Sequence, residues 1–325
     1  MVFLGTASMV SSPTRHVAGI GVVIGGDCWI FDAGEGTGTQ LAKSSVLQSA
    51  VSRVFVTHMH GDHVFGLMGL LLSVGSTGDP RTIQVVGPPG LRRFLRRNLA
   101  DTQSNMKCQY RVDELCFEQA TDEGPLYLPL ETQGLNVLPC ADGTWRVPPS
   151  PSTIKQHQHR HPHDDDDNSS PMDEPFHVHE CTNAFVESLD GGGHTSSEQV
   201  EAATYVHGHS TPRTAGRFAQ AIQCRHLILT HFSRRYKDDG SMEPVMDTIR
   251  RQCGAQYDAG KIECAHDLEV VTVKIPKEDR YTDADQAYKD AATAADEAKA
   301  HAQTFFHANE SLLLQLSRRS RRLLE

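Results

Sequence analysis

Thr57-His58-Met59-His60-Gly61-Asp62-His63 decides how the rest of this chain is read. It follows Val51 to Val56, an apolar run with the character of a buried strand. In extended backbone, side chains two apart point the same way, so His58 and His60 can converge on one metal ion. Gly61 lets the chain turn, and Asp62 and His63 then address a second ion from the start of the following helix. Imidazole and carboxylate donors suit zinc, and a position left open to water marks a catalytic site.

Three further segments fit that reading. Asp32-Ala33-Gly34-Glu35-Gly36 follows a strand, and Asp32 is placed to orient a ligand histidine from behind. Gly208-His209-Ser210-Thr211 precedes Pro212, a threonine cap with proline in the first turn of a helix. Backbone amides there favour an anion such as phosphate, and His209 can hand a proton to a leaving oxygen. Thr230-His231 ends an apolar strand, His226 to Thr230, as Thr57-His58 does, which makes His231 a candidate metal ligand. His207 is one residue out of register and is expected to be exposed.

Outward from these motifs, residues 1–100 read as α/β. Phe3-Leu4, Gly19 to Val23 and Cys28 to Phe31 form a glycine-broken meander, and Ile83 to Val86 is another strand. Gly66 to Val74 reads as a buried helix. Leu91 to Leu99 reads as an amphipathic helix whose arginines 92, 93, 96 and 97 form a solvated face. Periodicity fades over 101–175, where Pro148-Pro149-Ser150-Pro151 and the low-complexity tract 157–167 read as a disordered linker. Order returns at Phe176, and Leu268 to Ile275 is expected to be the last strand. The expected organisation is a domain over 1–275, interrupted at about 141–175, and a charged helical tail over 276–325. The tail ends on the basic run Ser317 to Arg322.

Composition excludes several classes. No apolar run approaches the roughly 20 residues of a membrane span, and no leader-like start is visible. A soluble cytoplasmic or nuclear protein is expected. The eight cysteines show no C-x-x-C pair and no framework spacing, so they are expected to be small buried hydrophobes rather than zinc ligands. The net charge of −10 opposes a generally basic nucleic-acid surface, although the run Asp164 to Asp167 and the tail supply much of it.

Taken together these segments resemble ribonuclease Z, the metallo-β-lactamase-type endonuclease of tRNA 3′ processing, in its short form. Phe3-Leu4-Gly5-Thr6, Phe31 to Thr37 and Phe55 to Leu67 match the family's N-terminal half. Val178-His179-Glu180-Cys181-Thr182, Gly208 to Thr211 and Leu229-Thr230-His231-Phe232-Ser233-Arg234-Arg235-Tyr236 match its C-terminal half. The resemblance implies an αββα sandwich of two mixed sheets with the metal loops along one edge. It assigns His58 and His60 to a first zinc and Asp62, His63 and His231 to a second. Asp62 would also be the general base and His209 the proton-handling histidine. The implied substrate is precursor tRNA, with a homodimer as a possible assembly and no membrane.

The chain departs from the family in its middle. The third histidine of the first zinc has no counterpart near Leu138-Pro139-Cys140-Ala141, and the Gly-Asp-Thr-type motif with the bridging aspartate is replaced by the His/Asp tract. One of Asp164 to Asp167 could substitute, and no basic tRNA-gripping arm is visible. The first zinc site is therefore expected to be incomplete. Two alternatives to the endonuclease stay open: a small-molecule phosphodiesterase or thioester hydrolase of the same superfamily, and a non-catalytic relative or aberrant gene product.

Overall fold

A computed structural model of the chain describes residues 1–77, 82–104, 106–117, 130–140, 143–145, 147, 176–190 and 196–273. The expected linker at 157–167, the aspartates 164–167 and the tail 276–325 lie outside the described residues.

The N-terminal half is built on an eight-stranded mixed sheet. Strands β1 (Val2–Gly5), β3 (Gly19–Ile24) and β4 (Asp27–Phe31) pair antiparallel. Then β5 (Val51–Phe55), β6 (Thr82–Gly87) and β7 (Gln109–Leu115) continue parallel, ending in the short strands β8 (Glu131–Thr132) and β9 (Asn136–Val137), both beside β7. Helices α1 (Thr37–Lys43), α2 (Gly61–Val64), α3 (Leu67–Gly75) and α4 (Leu91–Asp101) connect these strands. The C-terminal half holds β10 (Phe176–Glu180), β11 (His226–Thr230) and β13 (Lys261–Cys264), all parallel, in the order β10-β11-β13. Its helices are α5 (Glu187–Asp190), α6 (Ser197–Val206), α7 (Pro212–Ala221) and α8 (Glu243–Gly254). The pair β2 (Ala7–Ser8) and β12 (Phe232–Ser233) ties one half to the other.

Alternation along the strands shows the layering. Val2 and Leu4 join a cluster with Leu41, Leu70, Leu71 and Leu95, so one face of the large sheet is covered by α1, α3 and α4. Leu227 and Leu229 join a second cluster with Ala215, Ala219, Met246 and Ile249, beneath α7 and α8. Phe3 and Ile228, the intervening residues, meet each other with Ala265 between the two sheets. Helix, sheet, sheet, helix is the result, as expected. Each fully buried aliphatic side chain contributes about 1.5–3 kcal/mol. The second sheet is parallel among the described residues rather than mixed.

Two further expectations need correction. The last strand among the described residues is β13 at Lys261–Cys264; polar Lys261 and Glu263 hid it from an apolar search. Leu268 instead has φ +65, and the segment beside it reaches β1 through Phe3 N to Glu269 O, Leu268 N to Phe3 O and a lone bridge between Val2 and Val270. The arginines of α4 do not share a solvated face. Arg92 is buried, donating to Val112 O, Leu135 O and Asn136 Oδ1, and Arg96 pairs with Glu131 at 2.9 Å. Glu114, from β7, accepts the Gly90 and Arg92 amides and so caps a helix that has no cap residue of its own. The eight cysteines are free, and all but Cys140 are buried. No helix among the described residues is long and apolar enough to cross a membrane.

Candidate metal centre

β5 ends at Phe55, and the loop after it carries Thr57 to His60 into α2, whose first turn holds Asp62 and His63. Two glycines make the approach possible. A Cβ on Gly34 would sit 2.2 Å from the Asp62 carbonyl, so the loop after β4 and the ligand turn touch only because Gly34 lacks one. Gly36 takes φ +85 at the cap of α1, the left-handed region open to glycine. Asp32 itself is held at φ +60, with its amide donating to Phe55 O. Such backbone strain persists where the surroundings over-determine it, commonly at functional sites.

The Asp32 carboxylate accepts from the Thr57 amide at 2.8 Å, from the Thr57 hydroxyl and from His63 Nδ1 at 2.8 Å. His63 therefore carries its proton on Nδ1 and turns the Nε2 lone pair inward. His231, at φ +60 on the end of β11, is arranged in the same way. Its Nδ1 faces Glu180 Oε2 at 3.2 Å and Thr182 Oγ1 at 3.0 Å, so Nε2 is the atom turned toward His63 and Asp62. The two Nε2 atoms lie 3.0 Å apart, and Asp62 Oδ2 is 3.5 Å from one and 3.3 Å from the other. Two imidazole nitrogens and a carboxylate oxygen thus face one another, an arrangement stabilised by a shared proton or by a bound cation. Neutral imidazoles and a carboxylate fit zinc.

Electrostatics show how the cluster is held together without an ion. Burial acts to lower the pKa of His231, but hydrogen bonds to Asp62 and Glu180 outweigh it and raise it to about 9, so without an ion His231 carries a proton that zinc would displace. Burial disfavours the charged forms of Asp62 and Glu180, yet the histidines and, for Asp62, the Met9 amide hold both carboxyls well below the usual carboxylate range. For His58, burial and then the neighbouring His63 and His60 press the pKa down, keeping it a neutral ligand.

The five expected ligands meet in one place. His58 Nε2 approaches His60 Nδ1 at 3.0 Å, and the His58 ring centroid is 4.0 Å from that of His63. Among the described residues, however, the compact three-donor groups are Asp62-His63-His231 and Glu180-His209-His231; no third donor completes His58 and His60 in that way. His209 leads into α7, and its Nδ1 lies 3.3 Å from Glu180 Oε2. His207 is exposed, as expected. Glu180 had no role from sequence, although the Val178 to Thr182 segment was singled out. It ends β10 beside Thr230, one residue before His231, so strand register brings it under both histidines. Thr182 was missed similarly. These groups border a cleft of about 900 Å³ that includes His60, Asp62, Thr182 and His209.

Comparison with known proteins agrees with the geometry. Residues 20–75 match the model of the metallo-beta-lactamase superfamily. The chain is 45% identical to ribonuclease Z of Prochlorococcus marinus over 75% of its length and 91% of that protein. It is 27% identical to zinc phosphodiesterase ELAC protein 1 of Homo sapiens, covering 85% of this chain and 99% of the relative. The crystal structure of human tRNase Z, short form, superposes with a TM-score of 0.56 at 24% identity, over 84% of this chain and 98% of that one, and so shares its fold.

Proposed function

Because this chain belongs to the ribonuclease Z family of metallo-β-lactamase-fold hydrolases, we propose that it is a zinc-dependent endoribonuclease that removes the 3′ trailer from precursor tRNA. The observation that carries the reading is the convergence of His63 Nε2, His231 Nε2 and Asp62 Oδ2 beside the His209-Glu180 pair. Asp62, His63 and His231 would hold one zinc ion, and His58 with His60 a second, less completely ligated one. When bound, zinc supplies Lewis-acid polarisation of the phosphoryl oxygen and acidifies its water. Asp62, kept ionised, takes the proton of the attacking water as general base. His209, with Nδ1 engaged by Glu180, presents Nε2 to the leaving 3′-oxygen and protonates it. Cleavage of the phosphodiester then yields a tRNA 3′-hydroxyl and a trailer 5′-phosphate. The incomplete set at His58 and His60 supports a rate below that of a complete family member.

The test is incubation of a trailer-bearing precursor tRNA with the zinc-loaded protein, with and without chelator, followed by mapping of both product ends. Chelator-sensitive cleavage at the 3′ end of the tRNA body is expected. Hydrolysis of small phosphodiesters alone, with the precursor left intact, would instead favour the small-molecule phosphodiesterase alternative.

A further inference from the structure

Arg234 and Arg235 are neighbours with opposite fates. Arg235 is turned into the protein, donating to Asp190 at 2.8 Å, to Ala184 O and to the Tyr236 hydroxyl. Arg234 is exposed, borders the cleft that holds Asp62 and His209, and has no hydrogen-bond or ion-pair partner among the described residues. Among the described residues no other lysine or arginine borders that cleft, in a protein whose net charge is −10. A guanidinium left without a partner beside a phosphodiester-cleaving centre is matched to a phosphate, which it can bind through two parallel N–H donors.

A second feature shares the cleft. Phe65, at the C-terminal end of α2, is 68% exposed although its ring edge lies over Gly61 in the ligand turn. A Cβ on Gly61 would meet that ring at 2.3 Å, so the glycine makes room for it. Met9, 70% exposed, lies in the same lining. Exposed apolar surface of this kind costs free energy unless something covers it. An aromatic face near a cation is how proteins hold single-stranded nucleic acid: the base stacks and the phosphate pairs.

We propose that Phe65 and Arg234 form a nucleotide-positioning subsite, in which Phe65 stacks one base of single-stranded RNA and Arg234 pairs with a phosphate next to the scissile one. The subsite rests on the ribonuclease reading of the centre and deepens it. It gives the cleft a grip on the RNA strand itself, independent of the body of the substrate. Two contacts on one strand also fix which phosphodiester lies over Asp62.

The experiment measures binding of a fluorescently labelled single-stranded RNA, by anisotropy over a range of salt, in the zinc-loaded full-length protein. Arg234→Gln should weaken binding about tenfold and lower the slope of log affinity against log salt by about 0.7, one phosphate contact to a single strand. Arg234→Lys should restore the slope. Phe65→Leu should weaken binding on the order of 10-fold through lost stacking, with the slope intact, and Phe65→Trp should recover it. Thermal melting of each variant checks that the fold is kept. Unchanged affinity in both Arg234→Gln and Phe65→Leu would overturn the proposal, and so would loss of affinity without the change of slope at Arg234. If these binding effects appear but the parent protein leaves precursor tRNA uncut, the subsite stands and the trailer-removal reading fails.

Discussion

His63 Nε2 and His231 Nε2, contributed by residues 168 apart in sequence, lie 3.0 Å from each other, and each ring is fixed from behind by a carboxylate. Asp32 orients His63, and Glu180 orients His231. Outer groups of this kind fix the tautomer and raise ligand basicity. The proposed ligand pair is therefore oriented before any ion arrives.

Replacement of the central groups separates their roles. Asp62→Ala and His63→Ala should abolish cleavage of trailer-bearing precursor tRNA and reduce bound zinc. His209→Ala should slow cleavage by about 10²–10⁴-fold while leaving zinc content unchanged. Single-turnover rates together with elemental analysis check both, and zinc loss in His209→Ala would show that this histidine is a ligand.

Glu180 touches both His209 and His231, so its removal should act on both functions. Glu180→Gln is expected to lower zinc affinity by about 10–100-fold, the usual effect of losing an orienting partner. It should also slow the reaction at saturating zinc. Competition with a chromophoric chelator measures the first effect. An affinity equal to that of the parent would mean that Thr182 alone suffices to hold His231.

Metal count tests the unequal ligand sets. The protein lacking residues 157–167, where histidines would bind zinc adventitiously, should hold nearer one zinc than two per chain. Catalytic zinc normally has three protein ligands, and His58 with His60 supplies two. A lone ion cannot clamp both the attacking and the leaving oxygen, so nuclease activity should be low. Two tightly held ions with full cleavage would place the missing donors outside the described residues.

Acid stability should report on His177, whose ring packs on Phe218 and His179. Burial, then repulsion from His179, pushes its pKa down to about 4. The unfolded chain, with an ordinary value near 6.5, then binds more protons between these limits. The resulting stability is complete above about pH 6.5 and is lost as pH falls towards 4. His177→Phe should flatten that limb. Urea midpoints at pH 7 and pH 5 measure it, and an unchanged difference would show that other groups govern acid unfolding.

Phe3 is the fully buried aromatic between the sheets. Phe3→Ala should cost about 3–5 kcal/mol of stability. Because Asp62 and His63 lie on one half and His231 on the other, zinc affinity should fall with it. Calorimetric unfolding with and without zinc tests this, and full retention of affinity would mean that the halves stay docked through β2 and β12 alone.

Much of this was legible because local pattern and tertiary need agreed. Val51 to Val56 reads as a strand from its apolar run and forms one up to Phe55, since both its faces are covered. His226 to Thr230 was bounded correctly for the same reason. Failures arose where the neighbour decides. Arg92 looks like a solvated helix residue, yet the carbonyls at the edge of β7 and β9 draw it inward. Glu180 is an ordinary strand-end acid until parallel register places it beside Thr230 and His231. Asp32 was read as the orienting acid because turn glycines advertise it; Glu180 had no such signal.

The two halves are joined by residues 138–175, between the end of β9 and the start of β10, and every residue proposed to hold metal or move a proton lies outside that span. The entropic cost of closing such a connection grows only with the logarithm of its length, about 0.6 kcal/mol for each doubling. The fitted surfaces around Phe3 and Ile228 do not sense how long the tether is. Deletions and insertions there are accordingly cheap in thermodynamic terms. The meeting of His63 with His231 is thus insensitive to a change of length in that span.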